Sequence, residues 1–152
     1  MTSSPHELDI LMADDDEDDR QFAQQALKES RLSNRLVFVS DGRELLDYLR
    51  HEGDYKDPDS APRPGLILLD LNMPRMDGRE ALEQIKADPE LRRIPIVVLT
   101  TSRSEEDIYR SYDLGASSFI MKPVTFDGLV TAMKEIGAYW FQLVALPPRD
   151  FT

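Results

Sequence analysis

Leu66-Ile67-Leu68-Leu69-Asp70 is apolar at every position until it closes on a carboxylate. Alternating polarity would mark a strand with one wet face. An unbroken apolar run of this length marks a strand covered on both faces, as in a parallel sheet. Ile96-Val97-Val98-Leu99 repeats the pattern and ends at Thr100. Residues 8–13, Leu36–Val39 and Ser118–Met121 supply three more short apolar runs. Between the runs lie amphipathic stretches at 18–30, 44–50, 79–86, 104–112 and 125 to about 144, which read as helices. Phe22, Ala23, Ala26 and Leu27 share one face of the first, and Leu45, Leu46 and Leu49 face inward in the second. Asp41-Gly42 and Asp77-Gly78 read as turns that start helices, and Ser104 and Thr125 as N-caps. The strand–helix alternation predicts an α/β doubly wound sheet with helices on both sides. Residues 51–64, with Pro58, Pro62 and Pro64, read as a surface loop longer than most such connections.

In such a sheet ligands bind beyond the carboxyl ends of the strands. The first run there delivers Asp14-Asp15-Asp16, the third Asp70, the fourth Thr100 and the fifth Lys122-Pro123. Adjacent carboxylates at one edge are costly unless a cation neutralises them. Hard oxygen donors of this kind suit Mg²⁺, which is held by one or two carboxylates with water and phosphate. Asp70 can then act as a carboxylate nucleophile toward phosphorus. Thr100 and Lys122 can hold phosphoryl oxygens, since phosphoryl transfer is chiefly positioning and charge neutralisation. No residue of the set is a good general base for rapid turnover, which favours a protein that keeps the phosphoryl group over one that processes a substrate.

The 152 residues fit one domain of ordinary size. A formal net charge of −11 argues against nucleic acid and anionic membrane surfaces as partners. The absence of cysteine excludes disulfides, thiolate metal sites and Cys nucleophiles. No apolar run approaches the roughly 20 residues of a membrane span. The first residues have no basic segment followed by an apolar one, so a cytoplasmic location is expected.

Four pieces together resemble the receiver domain of two-component response regulators. They are Asp14-Asp15, Asp70-Leu71-Asn72-Met73-Pro74-Arg75-Met76-Asp77-Gly78, Val98-Leu99-Thr100-Thr101-Ser102 and Phe119-Ile120-Met121-Lys122-Pro123. The resemblance covers nearly the whole chain. It implies one receiver domain over residues 1–146, a short tail over 147–152 and no output domain. It implies a flavodoxin-like fold of five parallel strands in the order 2-1-3-4-5 with five helices. It implies that Asp70 is phosphorylated from the phosphohistidine of a sensor histidine kinase. Mg²⁺, for which Mn²⁺ can substitute, is held in the family by residues matching Asp15, Asp70 and the backbone carbonyl of Asn72, with Asp14 acting through water. Thr100 and Phe119 match the family's switch pair; Phe119 suits its packing role but carries no hydroxyl. The Lys122–Pro123 bond is typically cis in the family.

A narrower resemblance rests on Leu99-Thr100-Thr101-Ser102, Glu106-Asp107-Ile108, Tyr112 and Tyr139-Trp140-Phe141 with Leu146-Pro147. These look like the stand-alone receivers paired with phytochrome-type sensor kinases, which implies a bacteriophytochrome as kinase. Output is then expected through a downstream protein or a phosphotransfer partner. Asn72 and Ser102 are small and polar, two residues beyond Asp70 and Thr100, and leave room for an attacking water. Slow self-dephosphorylation is the expected result.

Plainer readings stand beside these. Asp18 and Asp19 read as negative charge at a helix start, Thr100 alone could merely end a strand, and His6 and His51 carry no assigned chemistry. In the last helix Leu129, Met133, Ile136 and Trp140 follow one stripe, leaving Phe126, Val130, Tyr139, Phe141 and Leu143 partly on other faces. That apolar excess suggests a symmetric homodimer, unless the tail folds back over it. A haloacid-dehalogenase-type phosphatase also uses Asp, Mg²⁺ and Lys, but its nucleophile opens an Asp-x-Asp after the first strand, whereas the proposed nucleophile here follows the third and has Asn72 two residues on. A flavodoxin-like cofactor binder needs a small-residue phosphate loop where this chain has carboxylates.

Overall fold

The computed structural model describes residues 9–29, 35–100 and 118–121. The elements are β1 (Ile10–Ala13), α1 (Glu17–Glu29), β2 (Leu36–Val39), α2 (Gly42–Arg50), β3 (Leu66–Leu69), α3 (Gly78–Ala87), β4 (Ile96–Thr100) and β5 (Ser118–Met121). A single 3-10 turn, Gly53–Tyr55, follows α2. The strands form one five-stranded sheet in the order β2-β1-β3-β4-β5. Every pairing is parallel.

Both faces of the central strands are covered, as their unbroken apolar sequence requires. Leu11, Ala13, Ile67 and Leu69 join Leu45, Leu46, Leu49, Leu82 and Ile85 of α2 and α3 in one buried cluster. Ile10, Met12, Leu66 and Leu68, on the opposite face, are equally buried. β2, at the sheet edge, is partly exposed along most of its length.

Local chemistry sets the helix starts. Asp16 caps α1, its Oδ1 accepting from the amides of Asp18 at 2.8 Å and Asp19 at 3.2 Å. Glu17, Asp18 and Asp19 then place negative charge on its first turn, as their sequence suggested. Asp41 caps α2 through the Glu44 amide, and Asp77 caps α3 through the Glu80 amide. Each helix therefore begins earlier than its apolar periodicity does. Ala23 and Leu27 of α1 are buried, but Phe22 is 40% exposed, against the expectation that it shares their face. It sits about 100° round the helix from Ala23, which is enough to leave the stripe.

The long connection after α2 is more ordered than a plain loop. His51 ends α2 in the left-handed conformation and its Nε2 lies 2.9 Å from the Ala61 carbonyl. Tyr48 donates to the Pro62 carbonyl at 3.2 Å, and the Tyr55 ring meets the Tyr48 ring edge-on at 5.1 Å. The helices expected over 104–112 and 125–144 lie outside the described residues.

Candidate functional site

The strand register creates the site. Ala13 of β1 pairs with Val39 on one side and Leu69 on the other. The residues that follow, Asp14, Ser40 and Asp70, therefore leave the sheet side by side. The ladder carries on into them, with the Asp14 amide donating to the Val39 carbonyl and the Asp70 amide to the Ala13 carbonyl, both at 3.0 Å. Asp14 and Asp70 are buried and Asp15 is exposed. One carboxylate oxygen from each of the three lies within 4.8 Å of the others.

Three acidic side chains at that spacing, two of them buried, fit a hard divalent cation. Oxygen donors arranged around an open position are what Mg²⁺ and Mn²⁺ take. The Asp14 Oδ1 accepts from the Asp16 amide at 2.9 Å, and the Asp70 Oδ1 from the Asn72 amide at 3.3 Å. These bonds hold the carboxylates in place. Asn72 itself is exposed at the rim.

The backbone of Asp70 is pressed from behind. A Cβ on Gly78 would overlap the Asp70 carbonyl oxygen and come within 2.9 Å of the Leu71 Cα. Only glycine lets the start of α3 approach so closely. The Gly78 amide also donates to the Leu71 carbonyl at 2.9 Å.

Two arginines brace the edge without being anticipated from sequence. Arg20 donates through Nε to the Asp14 carbonyl and through Nη2 to the Ser40 hydroxyl, both at 2.7 Å, with its guanidinium 5.4 Å from the Phe38 ring centroid. Arg75 forks onto the Asp41 carboxylate, Nε to Oδ2 at 2.8 Å and Nη2 to Oδ1 at 3.2 Å. Burial pushes the Asp41 carboxyl up, but hydrogen bonds from Arg75 and the Glu44 amide outweigh it, leaving the group below its ordinary value. Glu44 in turn accepts from the Ser40 amide at 2.7 Å and the Tyr55 hydroxyl at 2.6 Å. Burial first, and the Glu44 carboxylate second, hold that phenol well above its ordinary pKa.

Of the sequence-derived site residues, Asp14, Asp15, Asp70 and Asn72 stand together. Thr100 ends β4 and pairs with Met121 of β5, so the fourth and fifth strands reach the same edge. Phe119 pairs with Val98 in the backbone ladder. Lys122, Pro123, Tyr139, Phe141 and Leu143 lie outside the described residues.

Comparison with known proteins agrees with this geometry. Residues 10–134 match the family described as the response regulator receiver domain. The response regulator Rcp1 of Synechocystis sp. is 40% identical over 138 residues, covering 91% of this chain and 92% of its own. The phosphorylated cyanobacterial phytochrome response regulator RcpA superposes with a TM-score of 0.87 at 44% identity, over 93% of this chain and 99% of its own. The Mn²⁺-bound form of Rcp1 gives 0.85 at 39%, over 93% and 99%. These likenesses support the receiver reading over the phosphatase alternative, whose second aspartate would stand where Asn72 does, two residues after Asp70.

Proposed function

Because this chain belongs to the response regulator receiver domain family, we propose that Asp70 is its phosphoacceptor and that Asp14, Asp15, Asp70 and the Asn72 carbonyl make its Mg²⁺ site. The meeting of Asp14, Asp15 and Asp70 at one sheet edge carries this reading. The donor is a phosphohistidine on a sensor histidine kinase. An Asp70 carboxylate oxygen attacks phosphorus, the P–N bond breaks, the imidazole leaves, and a mixed anhydride remains on Asp70. A bound divalent cation supplies charge neutralisation for the phosphoryl oxygens; Mn²⁺, which Rcp1 binds, has the same preference for oxygen donors. Lys122 pairs with the phosphoryl group, Thr100 donates to it, and Phe119 packs behind Thr100. Pro123 aims Lys122 at the site.

The likeness to RcpA, a phytochrome response regulator, supports a phytochrome-type kinase, a bacteriophytochrome among them. The chain acts as a single receiver domain that signals through protein contacts or relays phosphate onward. The face carrying Tyr139, Phe141 and Leu143 serves a homodimer. Self-dephosphorylation is at most slow, neither blocked nor strongly assisted.

The test is phosphoryl uptake from acetyl phosphate, followed by intact mass beside Asp70→Asn. One Mg²⁺-dependent phosphoryl adduct, lost in the variant, is the expected result. An adduct that persists in Asp70→Asn would remove Asp70 from the role.

A further inference from the structure

Arg75 occupies a left-handed backbone conformation, φ 60°, which a non-glycine residue adopts only where its surroundings insist. Its side chain is 64% exposed, yet it pairs with the Asp41 carboxylate, 7% exposed, and not with the acidic cluster five positions back in its own loop. The neighbouring Met76 carbonyl accepts from the Gly42 amide at 2.8 Å. A Cβ on Gly42 would stand 2.6 Å from that oxygen. Loop 72–77 is thus fastened to the first residues of α2 by a forked ion pair and a backbone hydrogen bond. The residues that bracket the loop are joined by the Gly78–Leu71 hydrogen bond beneath Asp70.

We propose that the Arg75–Asp41 pair is a latch that positions loop 72–77 and thereby sets the cation preference of the site. The inference rests on the reading above that Asn72 lends its backbone carbonyl to the cation. Mg²⁺ demands near-ideal octahedral geometry at short distances, whereas Ca²⁺ accepts longer, looser arrangements of oxygen. A carbonyl ligand on a fastened loop favours the smaller ion. Releasing the loop costs Mg²⁺ more than Ca²⁺.

Charge alone predicts something different. Deleting the Arg75 cation should strengthen binding of a divalent cation nearby, and neutralising Asp41 should weaken it. The latch makes both changes weaken Mg²⁺ binding. Arg75→Lys keeps the charge but cannot fork across both carboxylate oxygens, so it behaves like Arg75→Ala. Asp41→Asn keeps the N-cap of α2, since Asn caps as well as Asp.

Calorimetric titration of the full, metal-free chain with Mg²⁺ and with Ca²⁺ decides the matter. Wild type is compared with Asp41→Asn, Arg75→Ala, Arg75→Lys and the Asp41→Asn/Arg75→Ala double variant. Mg²⁺ affinity is expected to fall roughly tenfold in each single variant, the low end for groups that orient metal ligands. Ca²⁺ affinity should hold within about twofold, and the double variant should be no worse than either single one. An Arg75→Ala protein that binds Mg²⁺ as tightly as wild type, or both ions lost equally, would overturn the latch alone. A wild-type chain that takes up neither ion would overturn the metal-site reading, and the latch with it.

Discussion

Gly78 lies flat against the backbone of the proposed phosphoacceptor, and the contact is with carbonyl and Cα atoms that cannot rotate away. Gly78→Ala should therefore act as overpacking of backbone on backbone, costing about 3 kcal/mol. Urea unfolding should show a lower midpoint with an unchanged slope, and phosphoryl uptake should fall because the Asp70 carbonyl is displaced. At this scale the sequence was most readable where charge interrupts an apolar run. Asp14, Asp15 and Asp70 announce themselves by ending strands. The Arg75–Asp41 pair does not, because its partners are 34 positions apart and neither interrupts a periodic pattern. Gly78 was legible as a turn residue; its closeness to Asp70 depends on how α3 meets the sheet, which no local pattern encodes.

Helix α2 gathers much of the polar structure beside the site. Its cap, Asp41, holds Arg75, its Glu44 binds Ser40 and Tyr55, and its last turn, through Tyr48, anchors the long connection that follows. The depressed Asp41 carboxyl gives it a pH signature. Its contribution is fully present above the ordinary value of 3.8 and is lost as pH falls through its own lower value. The stability gap between wild type and Asp41→Asn should stay constant from neutral pH down to about pH 5 and close in more acidic solution. Thermal melts of the two proteins across that range check it; a gap that widens in acid would contradict the pairing. The helix was legible through Leu45, Leu46 and Leu49, all buried. Its start was legible only from the Asp41-Gly42 turn, because the apolar stripe begins after the cap and hides it. The order of the following connection was hidden too, since Tyr48, His51 and Tyr55 stabilise it through single side-chain contacts without any repeat.

Across the whole molecule the topology was the most legible feature, because apolar runs without alternation leave few architectures open. The parallel pairing has a consequence in time. Neighbouring strands here are joined by long crossovers, so β1 cannot meet β3 until the chain through Leu69 is in place. Sheets built from such distant pairings form slowly. Asp14 and Asp70 become neighbours only through that long-range pairing, at its carboxyl end. A cation that needs both is expected to bind the finished fold and not the barrier before it. At tenfold excess over its dissociation constant, Mg²⁺ should add about 1.4 kcal/mol. That gain should appear as roughly tenfold slower unfolding with an unchanged folding rate. Stopped-flow folding and unfolding in urea, with and without Mg²⁺ at matched ionic strength, measures both arms. A faster folding arm would place the site ahead of the barrier. A slower unfolding arm alone would mean that the cation governs how long the folded chain persists and leaves the pace of its assembly to the sheet.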